Sequence, residues 1–138
     1  MIIVDTNVIS EWIKPAPAKT VVRWLRLTPD DQIYATATSE AEMRFGVATE
    51  NEGRNKRGRE ALIDQLFSVR FAGRVLPFDS DAAKAFAVIL AQMRRQGRTF
   101  SKSDAQIAAI AAVHSATIAT RDTGFEHSGV PLINPWEP

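Results

Sequence analysis

The stretch Ile2-Ile3-Val4-Asp5-Thr6-Asn7 decides how the rest of the chain is interpreted. Residues 2–4 are an apolar, β-branched run, which is typical of a strand buried on both faces of a parallel sheet. An aspartate follows at once, and residues 6–13 have the character of a short helix. Ligands of open parallel sheets bind beyond the carboxyl ends of the strands, so Asp5 stands where chemistry is expected.

Short apolar strands alternate with helices along the rest of the chain. Further strands are predicted over residues 33–35, 75–77, 117–119 and 130–133. Helices are predicted over residues 19–27, 38–50, 59–71, 80–96 and 103–114, with a polar loop or frayed helix end at 51–58. Gly97 is expected to cap the long helix, and Pro131 to place the last strand at a sheet edge. This alternation predicts an α/β fold with a mostly parallel sheet.

The length and composition of the chain exclude several kinds of functional site. A chain of 138 residues predicts one domain, residues 1–138. The absence of cysteine excludes a disulfide framework, a thiolate metal site and a cysteine nucleophile. With 17 Lys+Arg against 16 Asp+Glu, the net charge of +1 excludes nucleic-acid binding by bulk charge alone. No leader of signal-peptide character precedes Asp5, and polar residues interrupt the apolar region 105–119, so a cytoplasmic protein is expected.

Four carboxylates are expected to gather at the carboxyl edge of the sheet. Asp5 follows the first strand and Asp122 follows the strand at 117–119, while Glu42 and Asp104 lie near the starts of helices. Each also has a purely structural interpretation. Asp5 fits a helix N-cap, Glu42 a capping box with Ser39, Asp104 a favourable first-turn charge and Asp122 an Asx-turn.

Clustered carboxylates raise one another's pKa unless a cation compensates for their charge. Mg²⁺ accepts a few carboxylate oxygens and keeps several waters, and it can activate a water for phosphodiester hydrolysis. The two histidines, His114 and His127, lack the spacing of a ligand pair. The carboxylates therefore predict a hard divalent metal site.

Basic residues are unevenly spread and offer candidates for phosphate binding. A cluster that leads into Asp104 consists of Arg94, Arg95, Arg98 and Lys102. It suits a phosphate beside the metal, and it equally suits a solvated helix end. Arg44 and Arg121 each lie near an acid in the sequence. The predicted substrate-binding residues are Arg44, Arg98 and Arg121.

Five segments in order resemble proteins of one family. They are IVDTNVISE (3–11), TSEAEMRFG (38–46), SDAQIAA (103–109), ATRDTGF (119–125) and INPW (133–136). Together they resemble PIN-domain ribonucleases of the VapC toxin type, and within that family the FitB branch, which is linked to bacterial trafficking. The resemblance runs through the whole chain.

The resemblance implies a three-layer α/β/α sandwich and a Mg²⁺- or Mn²⁺-dependent endoribonuclease that acts as the toxin of a type II toxin–antitoxin pair. By position it implies a catalytic quartet of Asp5, Glu42, Asp104 and Asp122, with Asp5 and Asp104 as metal ligands. Many relatives carry Asn at the position of Asp122 and a further Asp a few residues on. The present loop is shorter, and Asp122 is expected to supply the fourth carboxylate.

The resemblance also implies partners: an RNA substrate, a small DNA-binding antitoxin, and a homodimer within a larger toxin–antitoxin assembly, with no membrane. Aromatic residues proposed for the dimer or antitoxin surface, with an ordinary core as their alternative, are Trp12, Trp24, Phe45, Phe67 and Phe71. A second hypothesis is a partner-binding subunit of a FitAB-like DNA-bound complex with weak or silent nuclease activity. A phosphotransfer domain is disfavoured, because Asp5-Thr6-Asn7 lacks the second acid of an Asp-x-Asp signature.

Overall fold

Five parallel strands form the centre of the molecule. A computed structural model describes residues 1–138. The strands are β1 (Ile2–Val4), β2 (Ile33–Thr36), β3 (Val75–Leu76), β4 (Thr117–Ala119) and β5 (Leu132–Ile133). Their order is β3-β2-β1-β4-β5, and every neighbouring pair is parallel. The predicted sheet is confirmed, and all of its pairs are parallel rather than most of them.

Six α-helices connect the strands. They are α1 (Thr6–Glu11), α2 (Lys19–Leu27), α3 (Ala37–Ala48), α4 (Arg54–Gln65), α5 (Ser80–Arg95) and α6 (Lys102–Val113). A π-helical segment (Leu66–Arg70) continues α4, and 3₁₀ turns occupy Asp30–Gln32 and Thr123–Phe125. None of these helices combines the length and the apolar character needed to cross a membrane.

Two apolar cores lie on opposite faces of the sheet. Ile3 and Val4 are neighbours in β1, yet each is fully buried in a different core, because successive strand side chains point to opposite faces. The core around Val4 contains side chains from α1, α2, α3 and α4. The core around Ile3 contains side chains from α5 and α6. The predicted three-layer α/β/α sandwich is confirmed.

The segment 51–58, predicted to be a loop or a frayed helix end, contains the start of α4. Residues 54–58 are helical. Arginine and lysine are good helix formers, and one glycine costs a helix only about 1 kcal/mol, so local propensity allows this helix. Its inward-facing residue is Lys56, whose ammonium bonds the carbonyl of Ala48. A lysine on the buried side hides the hydrophobic periodicity that would have indicated a helix.

The large apolar side chains of residues 59–71 recur at helical spacing, but only some of them are buried. Leu62 and Val69 are exposed, whereas the buried side chains are Ile63, Leu66, Phe67 and Phe71. Ile63, Leu66 and Phe67 form one stripe at helical spacing that faces the core, and Leu62 and Val69 lie to either side of it. The amide of Phe71 bonds the carbonyl of Leu66 five residues earlier at 2.9 Å, and Phe71 reaches the core.

The end of α5 and the edge of the sheet follow the sequence prediction. Gly97 has φ of 70°, a left-handed conformation that glycine adopts without strain. Its amide bonds the carbonyl of Arg94, and the amide of Arg98 bonds that of Met93, which is a Schellman cap. The last strand, β5, lies at the edge next to β4, directly after Pro131.

A buried glutamate fastens the segment between α1 and α2. The side chain of Glu11 is 3% exposed. It accepts hydrogen bonds from the ammonium of Lys14 at 2.7 Å and from the amide of Ala18 at 2.9 Å. Burial favours its protonated form, but these two bonds and the charges of Lys14 and Arg121 outweigh burial and hold the pKa of Glu11 below its ordinary value. Glu11 therefore tethers the proline-containing turn to α1.

We expect Glu11→Gln to lower the free energy of unfolding by about 1–3 kcal/mol at neutral pH, because a buried hydrogen-bonded charge is lost. A lowered pKa stabilises the folded state above the ordinary glutamate pKa and loses that effect as the pH falls through the folded value. The difference from the parent should therefore vanish in acid. Urea denaturation across this pH range measures it, with Glu60→Gln on the exposed surface of α4 as the control. A pH-independent difference would contradict the role of the charge.

Candidate functional site

The carboxyl ends of β1 and β4 place two acids side by side. Asp5 follows β1 directly, and its amide donates to the carbonyl of Ala119 at the end of β4 at 3.1 Å. Thr120, Arg121 and Asp122 continue from β4. At the end of the neighbouring β2, α3 begins and carries Glu42. The three strands in the middle of the sheet thus contribute to one edge, as predicted.

Asp5 is the buried member of the cluster, with 3% of its surface exposed. One carboxylate oxygen accepts from the amide of Val8 at 3.0 Å, which makes Asp5 the N-cap of α1. The other oxygen accepts from the hydroxyl of Thr120. Burial raises the pKa of Asp5, the hydrogen bonds of Thr120 and Val8 oppose this, and the charge of Asp122 raises the pKa further. The capping role and a role in the site coexist in one side chain.

Glu42 is an exposed carboxylate that other side chains orient. It lies in the second turn of α3, and the hydroxyl of Thr6 donates to its Oε1 at 2.9 Å. The Thr6 oxygen is also 3.1 Å from the hydroxyl of Ser39, which is fully buried. The capping interpretation of Glu42 is wrong, because Thr36 is the N-cap of α3 and accepts from the amide of Ser39.

Asp104 is the acid whose pKa responds to the charges of all three others. It lies in the first turn of α6, where its amide donates to the Ser101 hydroxyl at 3.0 Å. Burial raises the pKa of Asp104 and a hydrogen bond with Ser101 lowers it, while the charges of Asp122, Glu42 and Asp5 each raise it again. The three other predicted acids therefore all act on Asp104.

Asp122 is the exposed acid of the loop after β4. Its side chain accepts from the amide of Gly124 at 2.8 Å, so the predicted Asx-type turn is present. Its own amide donates to the hydroxyl of Thr120 at 2.9 Å. Thr120 thus links Asp5 to the Asp122 loop. A side chain at position 124 would come within 3.0 Å of the Asp122 carboxylate, which favours glycine there.

The donors fit a divalent cation that keeps much of its water. Every candidate ligand is a carboxylate oxygen, and the raised pKa values of Asp5 and Asp104 reflect burial and repulsion that a cation would relieve. No three acidic or histidine side chains are arranged closely enough to hold an ion by themselves. A metal here would be bound by one or two carboxylates and several waters, which is the usual coordination of Mg²⁺ in proteins.

The three arginines proposed for substrate binding differ in what they contact. The guanidinium of Arg44 bonds Glu40 at 2.8 Å and Asp64 at 2.6 Å, so its charge is already matched. That of Arg121 lies 4.4 Å from the centre of the Trp136 ring. Arg98 is exposed and bonds only Gln96 at 3.2 Å. Their roles in substrate binding stay predictions.

The hydroxyl side chains were the part of the site that sequence reasoning missed. Thr6, Ser39 and Thr120 hold the acids in place, yet they were not named as site residues. A usable signal exists: Thr6 follows Asp5, Ser39 precedes Glu42 by one helical turn, and Thr120 stands two residues before Asp122. Hydroxyls next to acids at strand ends are suited to orienting carboxylates.

The five aromatic residues proposed for an interaction surface differ in how much of each side chain is exposed. Trp24, Phe67 and Phe71 belong to the core, and Trp12 is half-buried with its ring 5.5 Å from that of Phe71. Phe45 alone is exposed, at 71%.

Comparison with known proteins gives consistent matches along the chain. Residues 2–130 match the PIN domain family. The chain is 41% identical over 139 residues to the VapC ribonuclease Y4jK of Sinorhizobium fredii, covering 100% of this chain and 99% of the relative. It is 42% identical over 137 residues to the toxin FitB of Neisseria gonorrhoeae, covering 99% of each.

Solved structures agree with this assignment. The structure of FitAB bound to an IR36 DNA fragment contains a chain that superposes with a TM-score of 0.92 and 42% identity. The match covers 100% of the present chain and 97% of that chain. DNA-bound VapBC of Salmonella typhimurium shares the fold, with a TM-score of 0.83 at 21% identity.

Proposed function

Because the chain belongs to the PIN domain family, we propose that it is the ribonuclease toxin of a toxin–antitoxin pair, acting in the cytoplasm on RNA phosphodiester bonds with Mg²⁺ or Mn²⁺. The observation that carries this proposal is the placement of Asp5, Glu42, Asp104 and Asp122 about the carboxyl edge of the sheet, where Asp104 lies close enough to the other three to respond to their charges. The relative Y4jK is named a ribonuclease and FitB a toxin, which supports the same activity for this chain.

Each acid has a role that follows from its surroundings. Asp5 and Asp104 would hold the metal, since their raised pKa values show the greatest need for a compensating charge. When bound, a divalent cation polarises a phosphoryl oxygen and activates a water. Glu42, exposed and held by Thr6, accepts a hydrogen bond from the attacking water and orients it. Asp122, exposed in its loop, holds a further water.

The reaction needs no covalent intermediate on the chain. The water oxygen forms a bond to phosphorus, the bond from phosphorus to the leaving ribose oxygen breaks, and one proton of the water passes by way of solvent to that oxygen. This chemistry requires a general acid–base path and charge stabilisation but no nucleophilic side chain. A chain without cysteine is suited to it.

Partners of the relatives suggest partners for this chain. FitAB is a complex that binds DNA, and the VapBC relatives also form toxin–antitoxin complexes on DNA. We therefore extend the proposal to a small DNA-binding antitoxin and to a homodimer within a larger assembly. The second candidate function, a subunit of such a complex with weak or silent nuclease activity, is favoured by the close match to the FitAB chain.

Metal removal tests the proposed activity. We expect the purified chain to cleave single-stranded RNA with Mg²⁺ or Mn²⁺, to lose cleavage after chelation with EDTA, and to regain it when either ion is restored. The physical reason is that the four acids repel one another and the phosphate unless a cation is bound. Gel separation of end-labelled RNA measures the rate. Cleavage that survives exhaustive chelation would contradict the metal site, and no cleavage with any divalent ion would favour the partner-binding subunit.

A further inference from the structure

Phe45 differs from every other phenylalanine of the chain. Six of the seven pair with another aromatic ring, as Phe67–Phe71, Phe78–Phe86 and Phe100–Phe125. Phe45 pairs with none and is 71% exposed. Exposing a whole aromatic ring forgoes its burial in a core, so an uncovered ring often marks a surface that binds something.

The position of Phe45 connects it with the carboxylate cluster. Phe45 follows Glu42 by three residues in α3, and residues at this spacing lie on the same face of a helix about one turn apart. Both side chains are exposed. The ring therefore stands on the surface that continues from the acids at the carboxyl edge of the sheet.

Nothing in α3 covers this ring. Apart from Glu42 and Arg44, the exposed residues around it on α3 are small, namely Ala41, Gly46, Ala48 and Thr49. A Cβ placed on Gly46 would meet no atom of another element within 4 Å, so no other part of the chain packs on the helix at that position. The adjacent Arg44 turns away to Glu40 and Asp64, with its guanidinium 5.9 Å from the ring of Phe67. A flat ligand can approach the ring directly.

We propose that Phe45 stacks against a nucleobase of the RNA strand beside the phosphate that is cleaved. The inference rests on the proposed ribonuclease function and names a substrate-recognition residue for it. Aromatic side chains are the usual platforms for unpaired bases, which have an apolar π-face whatever their identity. Stacking at Phe45 positions the strand over the acids and selects single-stranded over duplex RNA, because a base inside a duplex has both faces covered by its stacked neighbours.

The test is a double-mutant cycle between protein and RNA. The substrate is a short single-stranded RNA that the parent chain cuts at one mapped position, together with versions that carry one abasic nucleotide at each position near the cut. The variants are Phe45→Ala, Phe45→Tyr, which keeps the ring, and Leu27→Ala as the control. Leu27 is comparably exposed, at 74%, and lies on α2.

We expect Phe45→Ala to lower kcat/KM roughly tenfold to a hundredfold on intact RNA, which is the usual loss when a stacking ring is removed. Phe45→Tyr and Leu27→Ala should retain the parent rate. At one abasic position, Phe45→Ala should cost nothing further, because the stacking partner is already absent. Circular dichroism and melting temperature confirm that the variants are folded.

Several results would overturn the inference. If Phe45→Ala cuts RNA at the parent rate, or if its loss is the same for every abasic substrate, the ring does not stack on a base. If Phe45→Ala changes the oligomeric state in sedimentation velocity, the ring is covered by a second copy of the chain. In each of these cases the parent still cuts RNA, so the proposed function stands. If the parent cuts no RNA at all, the proposed function fails and the inference fails with it.

Discussion

Asp5→Asn is expected to lower metal-dependent RNA cleavage by at least about a hundredfold while the fold is retained. Asparagine is as good an N-cap as aspartate, so its side-chain oxygen can still accept from the amide of Val8. The hydroxyl of Thr120 can donate or accept, and it can adapt to the new amide. The variant lacks the buried negative charge that a metal would compensate.

Asp79→Asn is a matched control for this change. Asp79 caps α5 as Asp5 caps α1, through a bond from the amide of Ala82 at 2.9 Å, but it belongs to no carboxylate cluster. Cleavage of labelled RNA and the melting temperature are measured for both variants. Parent-like cleavage by Asp5→Asn, or an equal loss in Asp79→Asn, would show that Asp5 serves only as a cap.

Expression of the chain alone in cells distinguishes the two candidate functions. Growth arrest by the parent chain that is absent with Asp5→Asn would favour the nuclease over the partner-binding subunit.

Asp104→Asn is expected to stabilise the metal-free protein and to weaken its further stabilisation by metal. Without metal, the variant should be more stable than the parent at neutral pH, because Asp104 is held among three other negative charges. With metal, the parent should gain about 2.7 kcal/mol when the ion is a hundredfold above its dissociation constant. The variant should gain much less and should cleave RNA slowly. Thermal melting with and without Mg²⁺ measures both effects.

The difference in stability between Asp104→Asn and the metal-free parent should also depend on pH. Because the pKa of Asp104 is raised, the folded state holds its proton over a range of pH in which the unfolded state has released it. The metal-free parent therefore loses stability as the pH rises from the ordinary aspartate pKa through the folded value. The advantage of Asp104→Asn should grow over the same range and be small in acid.

The control for Asp104→Asn is Asp81→Asn, which removes an exposed acid from the first turn of α5. That change should lower stability slightly through the helix dipole and should leave the response to metal unchanged. If Asp104→Asn behaves in the same way, the charge repulsion at Asp104 is not relieved by an ion.

The sequence predicted the strands well because they are short apolar runs, and the three in the middle of the sheet are largely buried between two opposite cores. β4 was predicted to the residue, and the parallel arrangement followed from the alternation with helices. The start of α4 could not be predicted, since its inward-facing side chain is Lys56 and its first turn carries no apolar stripe. The π-helical segment after it is also invisible to a search for helical periodicity, because the period itself changes there.

The acids were predicted together because strand ends in a parallel sheet meet at one edge. Asp5 follows β1 directly and Asp122 follows β4 by three residues, so their proximity needed only the sheet order. The orientation of Glu42 could not be predicted, since it depends on Thr6, thirty-six residues away in sequence. Nor could the contact of Arg44 with Asp64, because it depends on how α4 packs against α3.

The central position of β1 has a consequence for how the protein is made. Its partners are β2, at residues 33–36, and β4, at residues 117–119, so both edges of β1 are paired only after residues 117–119 have been synthesised. Two of the four acids, Asp104 and Asp122, also come late. A nascent chain that is still short of residue 117 cannot carry the complete site, so the proposed activity toward RNA can begin only after synthesis has passed Asp122.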